Sequence, residues 1–552
     1  MMPRAVTLFH ELIILAVTLI FNVKGFMKKK IFCLAVILSL ICQYSCKKFL
    51  DVTPLDKLTG VTFWQSQSDI EAFVSDLYAK FRDKLTSTAF LAATGELRSG
   101  YIRTATSGNT NSGGEINIRR VYNQFAINNL QRSAAGVLDA SQPWNTFNNN
   151  ANFVTGGGYN FSSITKWYEF YSIIQGANVM FDRVNKGVPG VDAQTQKRYL
   201  AEAVFIRCLA YFMMVRIYGD VTYYTTPYQQ APLPRENMVS VIKKCIADLK
   251  AYKNNLYLIY PDPTFLAIRA TRGAADDLLM NMDMWNAGFD KSNQNAYYQD
   301  AAALGDELIK SNVYQLLPIE DFDQVMRGRS AEGIFEFGQS INYESQPNPR
   351  AFFGEMMLRY PNKGIGPDNN SSHAYFKAAY LQRLYPVGVP DKRATLWFDN
   401  NMLSENGNFQ LLKFKGDVIS GATGIYAVPE WGLIIFRYAE AILLRAEALA
   451  DLGNDGEAIA MLNMVRERAG APDYSGAGGK DLKDAIFNER GRELMGEGHL
   501  YFDLIRTGRI LDPAWTDDPL TQDQFDRGGW TWPIDNSALL NNPYMRLNQY
   551  WQ

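Results

Sequence analysis

Between residues 435 and 468 the sequence spells out two helices and the turn that joins them. Ala446 is followed twelve residues later by Ala458, and Leu462 supplies bulk one turn further on. Gly453 ends the first helix, while Asn454 and Glu457 stand at capping-box spacing for the second. Small residues where antiparallel helices cross, with bulk beyond them, follow tetratricopeptide logic. Such a pair cannot bury its apolar face alone, so the pattern demands stacked neighbours. Those neighbours are present in the text. A block at about 64–84 keeps Trp64, Ile70, Phe73, Leu77 and Phe81 mostly to helical spacing. Others start at Trp167 and at Tyr199, the latter stopped by Gly219 and Asp220, and 271–285 pairs with 296–310. The repeat is degenerate, so helix pairs are expected in place of a strict 34-residue period.

Long irregular stretches separate these blocks. From Thr104 to Ser163 the text changes to Asn, Gly, Ser and Thr, too long for an idle connection. Between 312 and 430 it is irregular again, with one strand expected at Gly333–Phe337 and turn signals at Pro347 to Pro349 and Asp368 to Asn370. The expected fold is mainly α: a tetratricopeptide-like helical repeat scaffold with a loop-rich, variable insertion lobe. Its parts are 46–311, with a loop insertion at 104–163, then the lobe at 312–430, then helix pairs at 431–552. Function is expected on the loops, which a rigid frame positions.

A targeting signal precedes all of this. Lys28, Lys29 and Lys30 form a positive start, Ile31 to Ile41 is an apolar run too short to span a bilayer unaided, and Ser45 precedes Cys46. This reads as a bacterial lipoprotein signal with Cys46 as the lipidation site, although Gln43 is untypical of the motif. Acylation would anchor the chain without a span, at roughly 0.8 kcal/mol per buried methylene. A second apolar run, Leu12 to Phe21, lies upstream, so translation is expected to begin at Met27.

Composition excludes several chemistries. Residues 1–45 carry Arg4, Lys24, Lys28, Lys29 and Lys30 against Glu11, so their removal takes the net charge from -2 to -6. Mild acidity argues against nucleic acid as a partner. Beyond the anchor only Cys208 and Cys245 remain, both in apolar helical text, and two buried thiols are expected in preference to a disulfide. His10, His373 and His499 are the three histidines, which provisions zinc or Ser-His-Asp chemistry poorly. Asp451 to Gly456 lacks the ligand spacing of a calcium loop. Neither metal nor cofactor is expected. Trp and Tyr recur in polar loops as well as in helices, compatible with stacking on the C–H faces of sugar rings.

Several motifs, taken in order, resemble one family: the SusD/RagB-type outer-membrane nutrient-binding lipoproteins. After Cys46, Phe49 to Pro54 and Phe63 with Trp64 resemble its opening. Trp167, Tyr171, Ile174, Ala177 and Asn178 resemble its second landmark. Glu202, Ala203, Arg207, Tyr211 and Tyr218 to Asp220 resemble its third, without the family's usual Pro after Val221. Arg437 to Ala441, Ala446 to Ala448, Asn488 to Leu494, Glu497, Gly498, Asp503, Leu504 and Arg506 to Arg509 are similar to its most characteristic run, and Trp532 to Asp535 with Asn541 to Pro543 to its close. Lys47 and Lys48 stand where surface-exported members often place acidic residues. The resemblance implies a tetratricopeptide-like scaffold on the outer membrane. It also implies a SusC-like TonB-dependent β-barrel transporter as partner, and binding of oligosaccharides, or in some branches peptides, without cleavage.

The charged run Glu489, Arg490, Arg492, Glu493 and Glu497 falls at helical three- and four-residue offsets. Two carboxylates could instead serve a surface glycoside hydrolase, but carboxylates among arginines stay ionised and make poor proton donors. A peptide-nutrient binder and a purely structural assembly factor are the other readings. No catalytic residue is assigned. Ligand contacts are expected from composition in two regions: Arg98 and Tyr101 continuing to Trp144, and Tyr343 to Phe352. Rings would stack on sugars, while Arg98 and nearby Asn side chains would bond hydroxyls. If Cys46 is the processed residue, intact-mass spectrometry of membrane-extracted protein will give a chain beginning at Cys46 plus acyl groups. A mass that retains residues 27–45 would remove the anchor.

Overall fold

Ala193–Tyr218 is the helix around which the rest assembles. Asp192 caps its start, its carboxylate accepting from the backbone N–H of Gln194 at 2.9 Å and Thr195 at 3.0 Å. Gly219, at φ +72°, takes the chain off its end in a conformation that favours glycine. From Arg198 to Tyr218 every residue is buried, so this helix meets protein on all sides. The computed structural model describes residues 63–87, 90–105, 162–338, 353–363, 370–415, 419–420, 426–427, 432–540 and 542–552. The expected anchor at Cys46 therefore lies outside the described residues.

The longer helices, in chain order, are α1 (Gln67–Thr86), α2 (Tyr168–Asn185), α3 (Ala193–Tyr218), α4 (Met238–Tyr252), α5 (Arg272–Phe289), α6 (Gln294–Lys310), α7 (Ala378–Leu384), α8 (Tyr438–Asp451), α9 (Asp455–Arg468), α10 (Lys480–Glu493) and α11 (Leu500–Arg506). Neighbours in sequence stack: α1 on α2, α2 on α3, α3 on α4, α4 on α5 and α5 on α6. The next stacking partner of α6 is α8, so the scaffold runs on as if the intervening stretch were absent. At that crossing Gly305 faces the Arg445 side chain, where a Cβ would come within 2.9 Å of it. α8 then packs against α9 and α10. None of the described helices is long and apolar enough to cross a membrane.

The strands are few and short: β1 (Ile102–Thr104), β2 (Gly333–Phe337), β3 (Ala374–Phe376), β4 (Ile419–Ser420), β5 (Tyr426–Ala427) and β6 (Leu433–Arg437). β2 pairs antiparallel with β6, Phe337 opposite Leu433 and Gly333 opposite Arg437, with an irregular register between. This buried ribbon closes the stretch 338–432 at its neck. The chain that leaves the scaffold on β2 returns beside it on β6 and enters α8 directly.

Two expectations are corrected at this junction. The helix expected from 435 starts at Tyr438, because Leu433 to Arg437 is taken by the ribbon, where β-branched and aromatic side chains suit a buried strand. The capping box at Asn454 and Glu457 does not form: Asn454 has φ -86° and ψ 57° and makes no side-chain cap. The Glu457 carboxylate instead meets Arg445 at 3.3 Å. The turn itself uses Gly453 at φ +80°. Ala446, Ala458 and Leu462 are fully buried between the paired helices. Cys208 and Cys245 are buried and free, the Cys208 thiol donating to the Cys245 carbonyl at 3.5 Å. Truncating the bulk that fills the last pair, Leu462→Ala, should lower stability by about 2–5 kcal/mol. Denaturant unfolding checks it, and a loss under about 0.5 kcal/mol would mean the pair is not cooperative with the scaffold.

Candidate functional site

Three breaks in the described chain have an end at one place, near Ala105, Phe353 and Asn370. β1 pairs with β3, Ile102 opposite Phe376 and Thr104 opposite Ala374. One residue beyond, the Ala105 N–H donates to the His373 carbonyl at 3.0 Å, and the His373 N–H donates to Met356 at 2.9 Å. The Leu411 N–H donates to Met357 at 3.1 Å. The start of the segment 106–161, the end of 339–352 and the segment 364–369 thus adjoin a common foot. Its floor is aromatic: Phe353 packs on Phe376 and Phe414, and Phe409 bridges Phe376 and Phe398. Rings of this kind give a stiff, water-free base for whatever stands on it.

Arg98 and Tyr101, expected at the ligand, are instead part of this base. Arg98 is 1% exposed, and its guanidinium donates to the carbonyls of Gly529 at 2.6 Å, Trp530 at 2.8 Å and Thr531 at 3.0 Å. It also lies 4.8 Å from the centre of the Tyr501 ring. Burial pulls its pKa down. Tyr101 stacks on Tyr380 with ring centres 3.9 Å apart, accepts from Arg383 at 2.7 Å and donates to the Trp515 carbonyl. The physical reason is local: the turn Leu97–Ser99 ends at Gly100, φ +84°, and directs both side chains inward. Both residues are buried and clamp the foot to the C-terminal segment. Trp144, Tyr343 and Phe352 lie outside the described residues.

The charged run becomes a buried network. Glu493 accepts from Arg393 at 2.9 Å, from Arg437 at 2.8 Å and from Arg468. Glu489 accepts from Arg393 at 2.6 Å and, across one helical turn, from Arg492 at 2.6 Å. Glu497 accepts from Arg437 at 2.6 Å and Lys413 at 2.5 Å, and Arg437 reaches Glu332 at 2.8 Å as well. Burial alone would raise these carboxyls, but the surrounding cations outweigh it. Glu493 is held well below the usual carboxylate range and Glu497 falls to about 2. Neither can store a proton for acid catalysis near neutral pH. The sequence offered only the helical offsets of this run; its partners Arg393, Lys413 and Glu332 lie far away in the chain and carry no local signal.

A separate cleft of about 520 Å³ opens where α5, α6, α8 and α10 meet the 506–515 turn. Ion pairs span it, Lys483 with Asp451 at 2.8 Å and Arg509 with Asp484 at 2.6 Å. Its aromatic wall is occupied too: the Arg509 guanidinium covers Phe487 at 4.5 Å and Trp515 at 4.6 Å. The nearby turn from Asp451 to Gly456 is held by Asp455 accepting the Gly479 N–H at 3.0 Å. Among the described residues no group of three or more His, Cys, Asp or Glu converges as a metal site would.

A stack of helix pairs interrupted by one insertion, closed at its neck by a two-stranded ribbon, defines a class of scaffold protein. Residues 429–551 match the model of the SusD family, and residues 48–280 match the family described as starch-binding, associating with outer membrane. A solved SusD homologue from Bacteroides thetaiotaomicron is 35% identical with a TM-score of 0.77, covering 89% of this chain and all of that one. A SusD-like protein of Formosa agariphila is 26% identical over 93% of this chain and 97% of its own length. The Bacteroides fragilis protein NanU shares the fold, with a TM-score of 0.66 at 19% identity over 91% of this chain and 100% of that one. This chain belongs to the SusD family.

One buried carboxyl at the foot makes a pH prediction. Glu96 is fully buried, accepting the N–H of Gly498 at 2.9 Å and His499 at 3.2 Å just before α11. Burial pushes its pKa up to about 8, against the pull of those N–H groups. The folded state therefore holds this proton more tightly than the unfolded chain, and stability falls as pH rises from about 4.5 to about 8. Glu96→Gln keeps an acceptor oxygen without the charge. Its melting temperature should fall less than the wild type's between about pH 5 and about pH 9 in a thermal-shift series. Parallel curves would take Glu96 out of the account.

Proposed function

We propose that this chain is a non-catalytic lipoprotein of the outer membrane, acylated at Cys46 and facing the cell surface. In this reading it binds oligosaccharide or polysaccharide nutrients through its insertions and delivers them to a SusC-like TonB-dependent β-barrel transporter. The observation that carries it is the common foot. The two loop regions rich in aromatic and amide side chains, 104–163 and 342–353, each have one end in the set tied together through Ala105, His373 and Met356. Loops rooted on one rigid base can present convergent stacking rings and hydrogen-bonding amides to a single ligand. The family description, starch-binding and associating with outer membrane, supports the same ligand class and the same compartment. Against a hydrolase stands the chemistry of the charged run, whose carboxylates are buried and locked to cations. The neck shared by β2 and β6 supports a lobe carried as one body with the scaffold, as a lid over a transporter mouth requires.

A glycan array beside a peptide library separates a sugar binder from a peptide binder, and reducing-end release by the purified protein would defeat the non-catalytic reading. Within the sugar reading, Trp144→Ala should weaken oligosaccharide binding about tenfold or more in calorimetry, the loss of one stacked ring, with the melting temperature kept. Unchanged affinity would exclude Trp144. Co-purification of a large barrel protein distinguishes a transporter lid from a free-standing assembly factor.

A further inference from the structure

Tyr257, Leu258 and Ile259 are 38%, 43% and 55% exposed, and among the described residues no other three consecutive large apolar side chains face solvent. Such a run is a liability on a soluble surface unless something covers it. The segment is not a loose tip. Leu256 is buried behind it, and the Tyr257 carbonyl accepts the Arg272 N–H at 2.8 Å. The Arg198 guanidinium lies 5.3 Å from the Tyr257 ring centre and donates to the Tyr260 hydroxyl at 3.0 Å. Tyr257 and Tyr260 meet edge to face at 5.2 Å. Asp262, the one charge between 254 and 268, is turned to its own loop, accepting the Thr264 N–H at 2.9 Å. The chain is therefore built to hold these three side chains outward.

Their position says what they face. α1 begins at Gln67, and one turn in, Glu71 binds Arg269 at 2.8 Å and Arg198 at 3.2 Å, the same Arg198 that covers Tyr257. The apolar patch thus lies beside the point where the chain enters the fold. Twenty residues, 47–66, separate that point from Cys46. Twenty residues treated as a random coil span about 25 Å root-mean-square, while a unit of this size has a radius of gyration of about 23 Å. The half of the surface near Gln67 is the half that the tether brings to the bilayer.

We propose that Tyr257, Leu258 and Ile259 form a membrane-contact surface that seats in the headgroup and acyl boundary of the bilayer holding Cys46. This rests on the lipid-anchor reading for its setting. Aliphatic tips suit the acyl side of that boundary, and tyrosine rings, apolar in body and polar at the hydroxyl, suit its headgroup level. A second weak contact close to the tether adds to retention through effective concentration and fixes which face of the protein looks away from the membrane.

The test uses the full mature chain with Leu258→Cys carrying an environment-sensitive nitrobenzoxadiazole label. Cys208 and Cys245 are buried, so the introduced thiol is the one labelled. Val387→Cys, at a site 93% exposed, is the control. Each chain is attached to phosphatidylethanolamine and phosphatidylglycerol vesicles by its acyl group and, separately, with Cys46 replaced, by an N-terminal histidine tag on a nickel-chelating lipid. Brominated lipid should quench the label at 258 about twofold more than at 387 or better, and Ile259→Asp should erase the difference with the melting temperature unchanged. Equal quenching at the two sites overturns the proposal. So does a label at 258 already shielded without vesicles, which would mean that the chain covers its own patch, or one shielded only when a barrel protein is present. Selective quenching in the tagged chain, alongside an acyl-competent chain that fails to bind vesicles, supports the contact surface and defeats Cys46 as the anchor.

Discussion

Arg437 is the residue on which the two halves of the architecture turn. It ends β6 and immediately precedes α8, so its backbone is the point where the insertion rejoins the scaffold. Its side chain, 1% exposed, binds Glu332 ahead of β2, Glu493 at the end of α10 and Glu497 beyond it. Arg393 and Lys413 from inside the insertion reach the same carboxylates. Replacing such a network by apolar residues could leave stability unchanged, yet removing one member strands a buried charge at about 3–5 kcal/mol. The network therefore specifies a geometry more than it adds stability. It fixes the insertion to one orientation on the helices.

That fixation explains how a scaffold can carry long irregular segments. Because α6 packs on α8 directly, the helical stack is continuous across the insertion, and β2 packs onto that stack through Phe335 against Phe205 and Phe337 against Phe81. The β1 and β3 pairing, the Phe353 to Phe414 cluster and the Arg98 clamp on the C-terminal carbonyls give the chain a secure foot where it leaves the described structure near Ala105. Stability resides in the frame, and the loops are free to be chosen for what they touch.

Much of the frame was legible because helices and turns announce themselves locally. The apolar spacing of α3, its stop at Gly219, the pairing of 271–285 with 296–310, and the small residues Ala446 and Ala458 all depend on neighbours within a few turns. The strand at Gly333–Phe337 was legible for the same reason, as a short apolar run bounded by turn signals. Its partner was not, since Leu433 to Arg437 runs straight into a helix and only the long-range pairing with β2 makes it a strand. The burial of Arg98 and Tyr101 was not legible, because a polar, glycine-bearing stretch looks like surface, whereas Gly100 turns both residues toward carbonyls more than 400 positions later. The patch at Tyr257 to Ile259 carried no signal, since a short apolar run reads as core until burial is known.

The same physics constrains how such a protein could hand over a cargo. A lobe held by Arg437, Arg393 and Lys413 cannot swing about its neck without breaking several buried pairs at once, and each break alone would slow the motion severely. In the proposed capture and delivery, scaffold and lobe therefore move as one body. Affinity need not be high for this to work. Anchoring binding loops to a stiff base lowers the ordering cost that association must meet, and affinity differences among related complexes lie mostly in the rate of release.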